Sequence, residues 1–317
     1  MDLNRYAIAG HGLTATFTEW GAALVDLRLD GMAHPLVLGL DRLEDYAAGH
    51  SSYMGATAGR FANRIAEARF TLDGMENRLD PNFQDRHSLH GGSKGTGKRV
   101  WSVARHEAAT ITFALDLADG EMGYPGAMRI EARFACGAGP TLRVEYTATC
   151  DAPTIVNLAH HSYWNLDGTA DVSGHSLTVK ADRYLPVDEG LIPTGVADVA
   201  GTAFDFRAGR MLPGEGLLDH NLCLGDAQEP LRDVAVLRAR GLSMTVATTE
   251  PGLQVYDGAK LATSVPGLDG RRYGAHAGVA LEPQCWPDAP NHTDFPDCVL
   301  RPGETYEQVT TFTFTKG

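Results

Sequence analysis

The chain has no run of 18 apolar residues, and Met1 to Trp20 lacks the basic stretch followed by an apolar run that marks a secretory leader. No membrane-spanning helix is expected, and the segment reads as the start of a cytoplasmic protein. Cysteine is sparse: Cys136, Cys150, Cys223, Cys285 and Cys298 are odd in number and contain no CxxC pair. That argues against a disulfide framework or a zinc ribbon and leaves buried thiols as the expectation. Positive charge is short as well, with 27 Lys and Arg against 40 Asp and Glu for a formal charge of −13. Such a surface opposes nucleic acid and anionic lipid, and points to a neutral partner. Low-complexity linkers, charge blocks and fixed-period repeats are missing too. Residues 1–317 therefore read as one domain, and a 43% hydrophobic content supplies a large core.

Helical periodicity is almost absent, apart from a short turn near Leu43 to Ala48. Apolar and polar residues instead alternate through Leu13–Phe17, Ile111–Leu117, Met128–Phe134, Leu142–Thr147, Leu177–Val179, Met244–Val246 and Thr310–Phe314, the pattern of half-buried strands. Asp30-Gly31, Asp73-Gly74 and Asp119-Gly120 suit tight hairpins, and Tyr124-Pro125-Gly126 suits a type II turn. The expected fold is all-β, a sandwich or barrel with few short helices. Two stretches without alternation, Phe83–Lys98 and Tyr184–Leu218, read as long ordered loops, which in a compact β domain are usually functional.

Two segments carry chemistry. In His160-His161-Ser162-Tyr163-Trp164-Asn165-Leu166 an extended backbone places His161 and Tyr163 on one side and His160 and Trp164 on the other. One histidine can face a cleft while the other packs behind it. A lone histidine is more often a buried one satisfied by a carbonyl. In Leu281-Glu282-Pro283-Gln284-Cys285-Trp286-Pro287-Asp288 a carboxylate sits among apolar neighbours that exclude water, so its pKa is expected to rise toward working pH. The plainer reading is a Glu bonded to loop amides.

Together with Gly59-Arg60-Phe61-Ala62-Asn63-Arg64-Ile65, Leu89-His90-Gly91-Gly92 and Asp219-His220-Asn221, these segments resemble the aldose 1-epimerases, or galactose mutarotases, in order along nearly the whole chain. The resemblance implies a large antiparallel β-sandwich with a shallow sugar cleft that interconverts the anomers of free aldoses without a cofactor or metal. It implies Glu282 as base and His161 as acid, with Asn63, Arg64, His90, Asp219 and Gln254 binding the sugar; Tyr163 is a further candidate, able to donate or stack. Glu titrates near ~4.3 and His near ~6.5, so the pair works at neutral pH only if Glu282 is raised or His161 is held protonated. Arg60 competes with Arg64 on the same face of an extended strand, and Asp219 has an Asx turn as its structural alternative. Trp286 and Pro283 are expected to keep Glu282 dry.

One departure stands out: many relatives carry Gly-Asn-Phe where this chain has Gly258-Ala259-Lys260-Leu261, which removes an aromatic able to stack on a hexose and makes a pentose or a substituted hexose more plausible. Three other readings remain open. Twelve histidines permit a cupin-like metal site, although His160 and His161 should point apart. Lys94, Lys98 and Arg99 near His90 permit a hexose-6-phosphate epimerase. A non-catalytic sugar-binding module is the third, disfavoured because binding alone requires no acid and base.

Overall fold

The computed structural model describes residues 2–213 and 218–317. A nine-stranded antiparallel sheet runs, in spatial order, through Arg210–Met211, Ser176–Val179, Arg232–Ala239, Leu242–Thr248, Tyr306–Lys316, Thr141–Cys150, Met128–Cys136, Thr110–Leu117 and Ser102–His106. A six-stranded sheet orders Tyr163–Trp164, Val279–Gln284, Gly252–Tyr256, Asp219–Cys223, Arg183–Tyr184 and Ala197–Asp198. Their facing sides share one apolar core, in which Val144, Leu237, Met244, Val246 and Phe312 from the first meet Leu222, Leu253, Val255, Val279 and Leu281 from the second. Period-two alternation produces this arrangement directly, because every second side chain of each strand points into the same layer. The three-stranded Tyr6–Gly10, Leu13–Thr18 and Ala23–Leu29 sheet adds Leu13, Phe17, Leu24 and Leu27 to that core. All seven alternating segments lie in strands, and the α-helix of the described residues is Leu43–Ala47. No helix among them is long and apolar enough to cross a membrane.

Turn chemistry is legible to differing degrees. Asp73-Gly74 closes the Arg69–Leu72 and Met75–Arg78 hairpin with both residues at positive φ, 49° and 82°. Asp30-Gly31 turns the chain into a loop without joining ladder neighbours, whereas Asp119-Gly120 opens a longer connection between the paired strands Thr110–Leu117 and Met128–Cys136 in place of a two-residue hairpin. The expected loops are also partly ordered. Ser88–Leu89 in the first pairs with Arg64–Ile65, and the second starts at the end of Arg183–Tyr184 and contains Ala197–Asp198 and Arg210–Met211, while its residues 214–217 lie outside the described residues.

One buried carboxyl sits apart from the candidate site. Glu250 is 1% exposed on the wall of a cavity of about 510 Å³ shared with Tyr306, Cys285 and Cys298, and its Oε1 accepts from Gln228 Nε2 at 2.6 Å. Burial pushes its pKa from 4.5 up to about 7, with the Gln228 bond and Arg232 opposing. The folded pKa lies above the unfolded one, so this group's stabilising contribution is complete below pH 4.5 and is lost as pH rises through 7. Ionising it costs about 3 kcal/mol by pH 9. Glu250→Gln keeps an oxygen for Gln228 and removes the ionisation. Its melting temperature is expected to exceed that of the parent by roughly 5 °C at pH 9 and to match it at pH 5. Equal shifts at both pH values would refute the assignment.

Candidate active site

The face of the six-stranded sheet turned away from the core is a polar grid. Cross-strand register sets Asn221, Gln254 and Glu282 in one row and Asp219, Tyr256, Ala280 and Tyr163 in the next. Because Leu253, Val255 and Leu281 point into the core, Gln254, Tyr256 and Glu282 must point to the other side. Loops cover this grid and enclose a cavity of about 300 Å³, lined by Ser52, Tyr53, Asn63, Arg64, Phe83, Leu89, His90, His161, Tyr163, Asp219, Tyr256, Lys260, Leu261 and Glu282. Seven of the eight residues expected at the site, all but Gln254, lie in this lining.

Glu282 and His161 meet there. Glu282 Oε2 lies 3.6 Å from His161 Nε2, too far for a hydrogen bond, and neither Glu282 Oε2 nor His161 Nδ1 has a hydrogen-bond partner among the described residues. Burial raises the Glu282 pKa well above the carboxylate range; Asp219 adds to the rise and Arg64 opposes it. Burial lowers His161 to about 4, against the opposing Asp219 charge. Of the two conditions for neutral-pH chemistry, a raised Glu is met, and the imidazole is held neutral rather than protonated. His160 faces the opposite way, bonded to Ser162 Oγ at 2.8 Å between the rings of Phe134 and Phe312 and lowered by burial to about 3. The two-sided reading of the His-His segment holds, although the strand is broken: Ala159–His160 pairs with Thr57–Ala58 and Tyr163–Trp164 with Val279 and Ala280.

Arg64 Nη2 bonds Asp219 Oδ2 at 3.2 Å, its Nη1 bonds Asn63 Oδ1 at 3.3 Å, and its guanidinium lies 4.7 Å over Phe83. Asp219 sits in a strand, which rules out the Asx turn, and its Oδ1 accepts from Gln254 Nε2 at 2.6 Å. Gln254 thus stands beneath the cavity and reaches it through Asp219. His90 Nδ1 accepts from the Asn63 backbone at 3.1 Å, so neutral His90 carries its proton on Nε2, on the side left for a ligand. Burial and the nearby cationic groups keep it neutral. The glycine beside it is a packing requirement: a Cβ on Gly91 would lie 1.9 Å from the Gly59 carbonyl. The Tyr163 hydroxyl donates to Ser52 O at 3.3 Å, which makes the residue a wall.

Residues 5–313 match the family model described as Aldose 1-epimerase. The chain is 40% identical to a galactose mutarotase of Rattus norvegicus, covering 99% of this chain and 94% of that protein. It is 37% identical to an aldose 1-epimerase of Escherichia coli K12, covering 96% and 92%. The chain belongs to the aldose 1-epimerase family. A crystal structure of a GalM/aldose epimerase homologue from C. elegans superposes with a TM-score of 0.93 at 33% identity, covering 99% of each chain. The fold is that of the galactose mutarotases, an antiparallel β-sandwich.

Against this family background the structure also corrects details. Arg60 is no rival to Arg64. Its Nη1 donates to the Pro125 and Gly126 carbonyls and its guanidinium lies 5.5 Å from the Tyr124 ring centroid, while Asn63 at φ 64° breaks the strand that was to align the two arginines. Pro283 shares the inward face of Leu281, and Trp286 packs on Phe295 at 5.0 Å in a separate cluster; neither lines the cavity. The aromatic residues beside Glu282 are instead Tyr53, Phe83, Tyr163 and Tyr256, three of which the motifs do not mark. Tyr256 has a signal, two residues beyond Gln254 in a strand; Phe83 opens the loop expected to be functional; Tyr53 has none. These four rings line the same cavity as Lys260 and Leu261, which stand where the aromatic was expected. Of the three basic residues near His90, Lys98 sits 4.9 Å over Tyr53, Arg99 pairs with Glu121, and none lines the cavity. For a metal, the donors brought together are His90, His161 and Glu282, with ligand atoms within 4.8 Å of one another.

Proposed function

We propose that the chain interconverts the α and β anomers of free aldoses by acid–base ring opening and reclosure. The observation that carries this reading is the unpartnered carboxyl and imidazole, 3.6 Å apart, opening onto one cavity. In opening, Glu282 takes the proton of the anomeric hydroxyl as His161 protonates the ring oxygen. The ring C–O bond breaks, C1 becomes an aldehyde, and rotation exposes its other face. Reclosure returns both protons and swaps the roles. The pair needs one proton in total: the neutral arrangement favoured in the free site and the imidazolium–carboxylate form used in opening differ only in where that proton sits. Sugar hydroxyls that replace water around Glu282 stabilise its anion.

Arg64, Asp219, Asn63 and His90 are proposed to hold the remaining hydroxyls. Gln254 braces Asp219, and Tyr163 closes one wall. Residues 1–317 are read as one domain, since the site draws on residues from Ser52 to Glu282. A cytoplasmic setting is proposed on the five unpaired thiols.

Polarimetry on freshly dissolved α-glucose, α-galactose, xylose, arabinose and glucose 6-phosphate tests the reading. Free sugars are expected to equilibrate faster than the phosphate ester, with rates unchanged by EDTA. No acceleration on any free sugar would overturn the activity. Preference for the ester would favour the phosphate-sugar reading, and loss with EDTA restored by a metal would favour a metal enzyme built on His90, His161 and Glu282.

A further inference from the structure

The Pro287-Asp288-Ala289-Pro290-Asn291 segment follows Glu282 and supplies no residue to the cavity lining, yet its carboxylate is almost completely enclosed. Asp288 is 2% exposed and holds a left-handed backbone at φ 59°. Its backbone N–H donates to Arg64 O at 2.8 Å, and its Oδ1 accepts from Ala66 N at 2.9 Å. The clamp thus grips the chain on both sides of Arg64–Ile65. Asn291 Nδ2 supports the same oxygen at 2.7 Å and also reaches Arg69 O at 3.0 Å, while His292 Nε2 lies 3.1 Å from Oδ2.

Burial of Ile65 in the cluster around Phe61 and Phe70 and a bond from Glu67 N–H to His87 Nδ1 at 3.1 Å hold the flanks of the gripped segment, but its backbone ladder is short. Its strand is two residues long, paired among the described residues with Ser88–Leu89 alone, and positive φ values at Asn63, Glu67 and Ala68 interrupt regular structure on both sides. A ladder this short does not fix a guanidinium by itself. Beyond it, Asn63 passes the geometry on: its O accepts from His90 N at 2.9 Å, and its N–H donates to His90 Nδ1 at 3.1 Å.

We propose that Asp288 is a positioning residue that sets Arg64 against Asp219 and, through Asn63, aims His90. The base and the sugar-holding arginine then share one anchor, because Asp288 lies six residues after Glu282 on the same segment. The inference rests on the anomer-interconverting activity and on Arg64 holding sugar. Arg64 touches hydroxyls that do not react, so its displacement weakens ground state and transition state alike. The cost falls on KM, and kcat is spared.

The test compares Asp288→Gly, which tolerates the left-handed backbone but lacks the carboxylate, with Asp288→Asn. The asparagine keeps an oxygen for Ala66 N–H and can donate to His292 Nε2 in its other tautomer. Asp288→Gly is expected to raise KM about tenfold with kcat within about threefold, and Asp288→Asn to restore KM to within about threefold of the parent. In an Arg64→Met background, removing Asp288 is expected to change KM by less than about threefold, because only the route through Asn63 to His90 is left. Should the glycine variant fail to fold, Asn291→Ala is expected to raise KM about threefold at unchanged kcat. Parental KM in the variant tested, equal KM for the glycine and asparagine variants, or effects that multiply with Arg64→Met would overturn the proposal. A parent without mutarotase activity would instead refute the activity itself.

Discussion

Glu282→Gln is expected to lower kcat by about a thousandfold or more while sugar affinity stays within about threefold. The carboxamide matches the carboxylate in shape and can still accept a hydroxyl, but it takes up no proton at neutral pH. The surroundings make this substitution clean. Glu282 Oε2 has no hydrogen-bond partner among the described residues and stands 3.6 Å from His161 Nε2, so no hydrogen bond to them is broken there. Burial already works against the charged form, so the neutral amide sits at least as well in its place and the melting temperature should hold or rise. Polarimetry on α-glucose and α-galactose, with calorimetric titration of the equilibrated sugars, separates chemistry from binding. Parental rates would remove Glu282 from the reaction, and lost rates with lost affinity would make it a binding group.

How much of this is legible in the residues depends on the range of the interaction. Alternation is local, so Thr310–Phe314 reads as a strand and His160 and His161 read as facing opposite ways before any tertiary contact is known. The desolvation of Glu282 is not local. Trp286 is close in sequence but packs with Phe295, and the rings beside the carboxyl come from Tyr53, Phe83, Tyr163 and Tyr256, up to 229 positions away. Alternation places Arg60 and Arg64 on one face and so cannot choose between them, and its premise fails for a related reason: one left-handed residue, Asn63, ends the strand on which that comparison depends. Gln254 shows the finer limit: its row beside Glu282 follows from strand pairing, but whether its amide meets a sugar or Asp219 is decided by a 2.6 Å contact between strands. Motif order along the chain identifies the family because it samples many such contacts at once.

His161→Gln is expected to lower kcat by about a hundredfold or more and, more tellingly, to invert the pH dependence of what remains. In the parent the working site carries one proton. A second enters as pH falls toward about 4, where His161 titrates, and leaves no base. The last proton leaves as pH rises through the Glu282 value, which burial holds well above the ordinary carboxylate range, and leaves no acid. The parental kcat/KM profile is therefore a plateau bounded by these two limbs. Without the imidazole, water must protonate the ring oxygen, and the only requirement left is an ionised Glu282. After subtraction of the uncatalysed rate, the variant should be slow at low pH and rise through the range where the parent declines. Asp219→Asn supplies the sign control. Removing that anion takes away part of what raises Glu282, so the parental alkaline limb should move to lower pH. A His161→Gln profile that falls at high pH with the parent's limb would show that the group lost there is not the base, and the division of roles between the two side chains would fail.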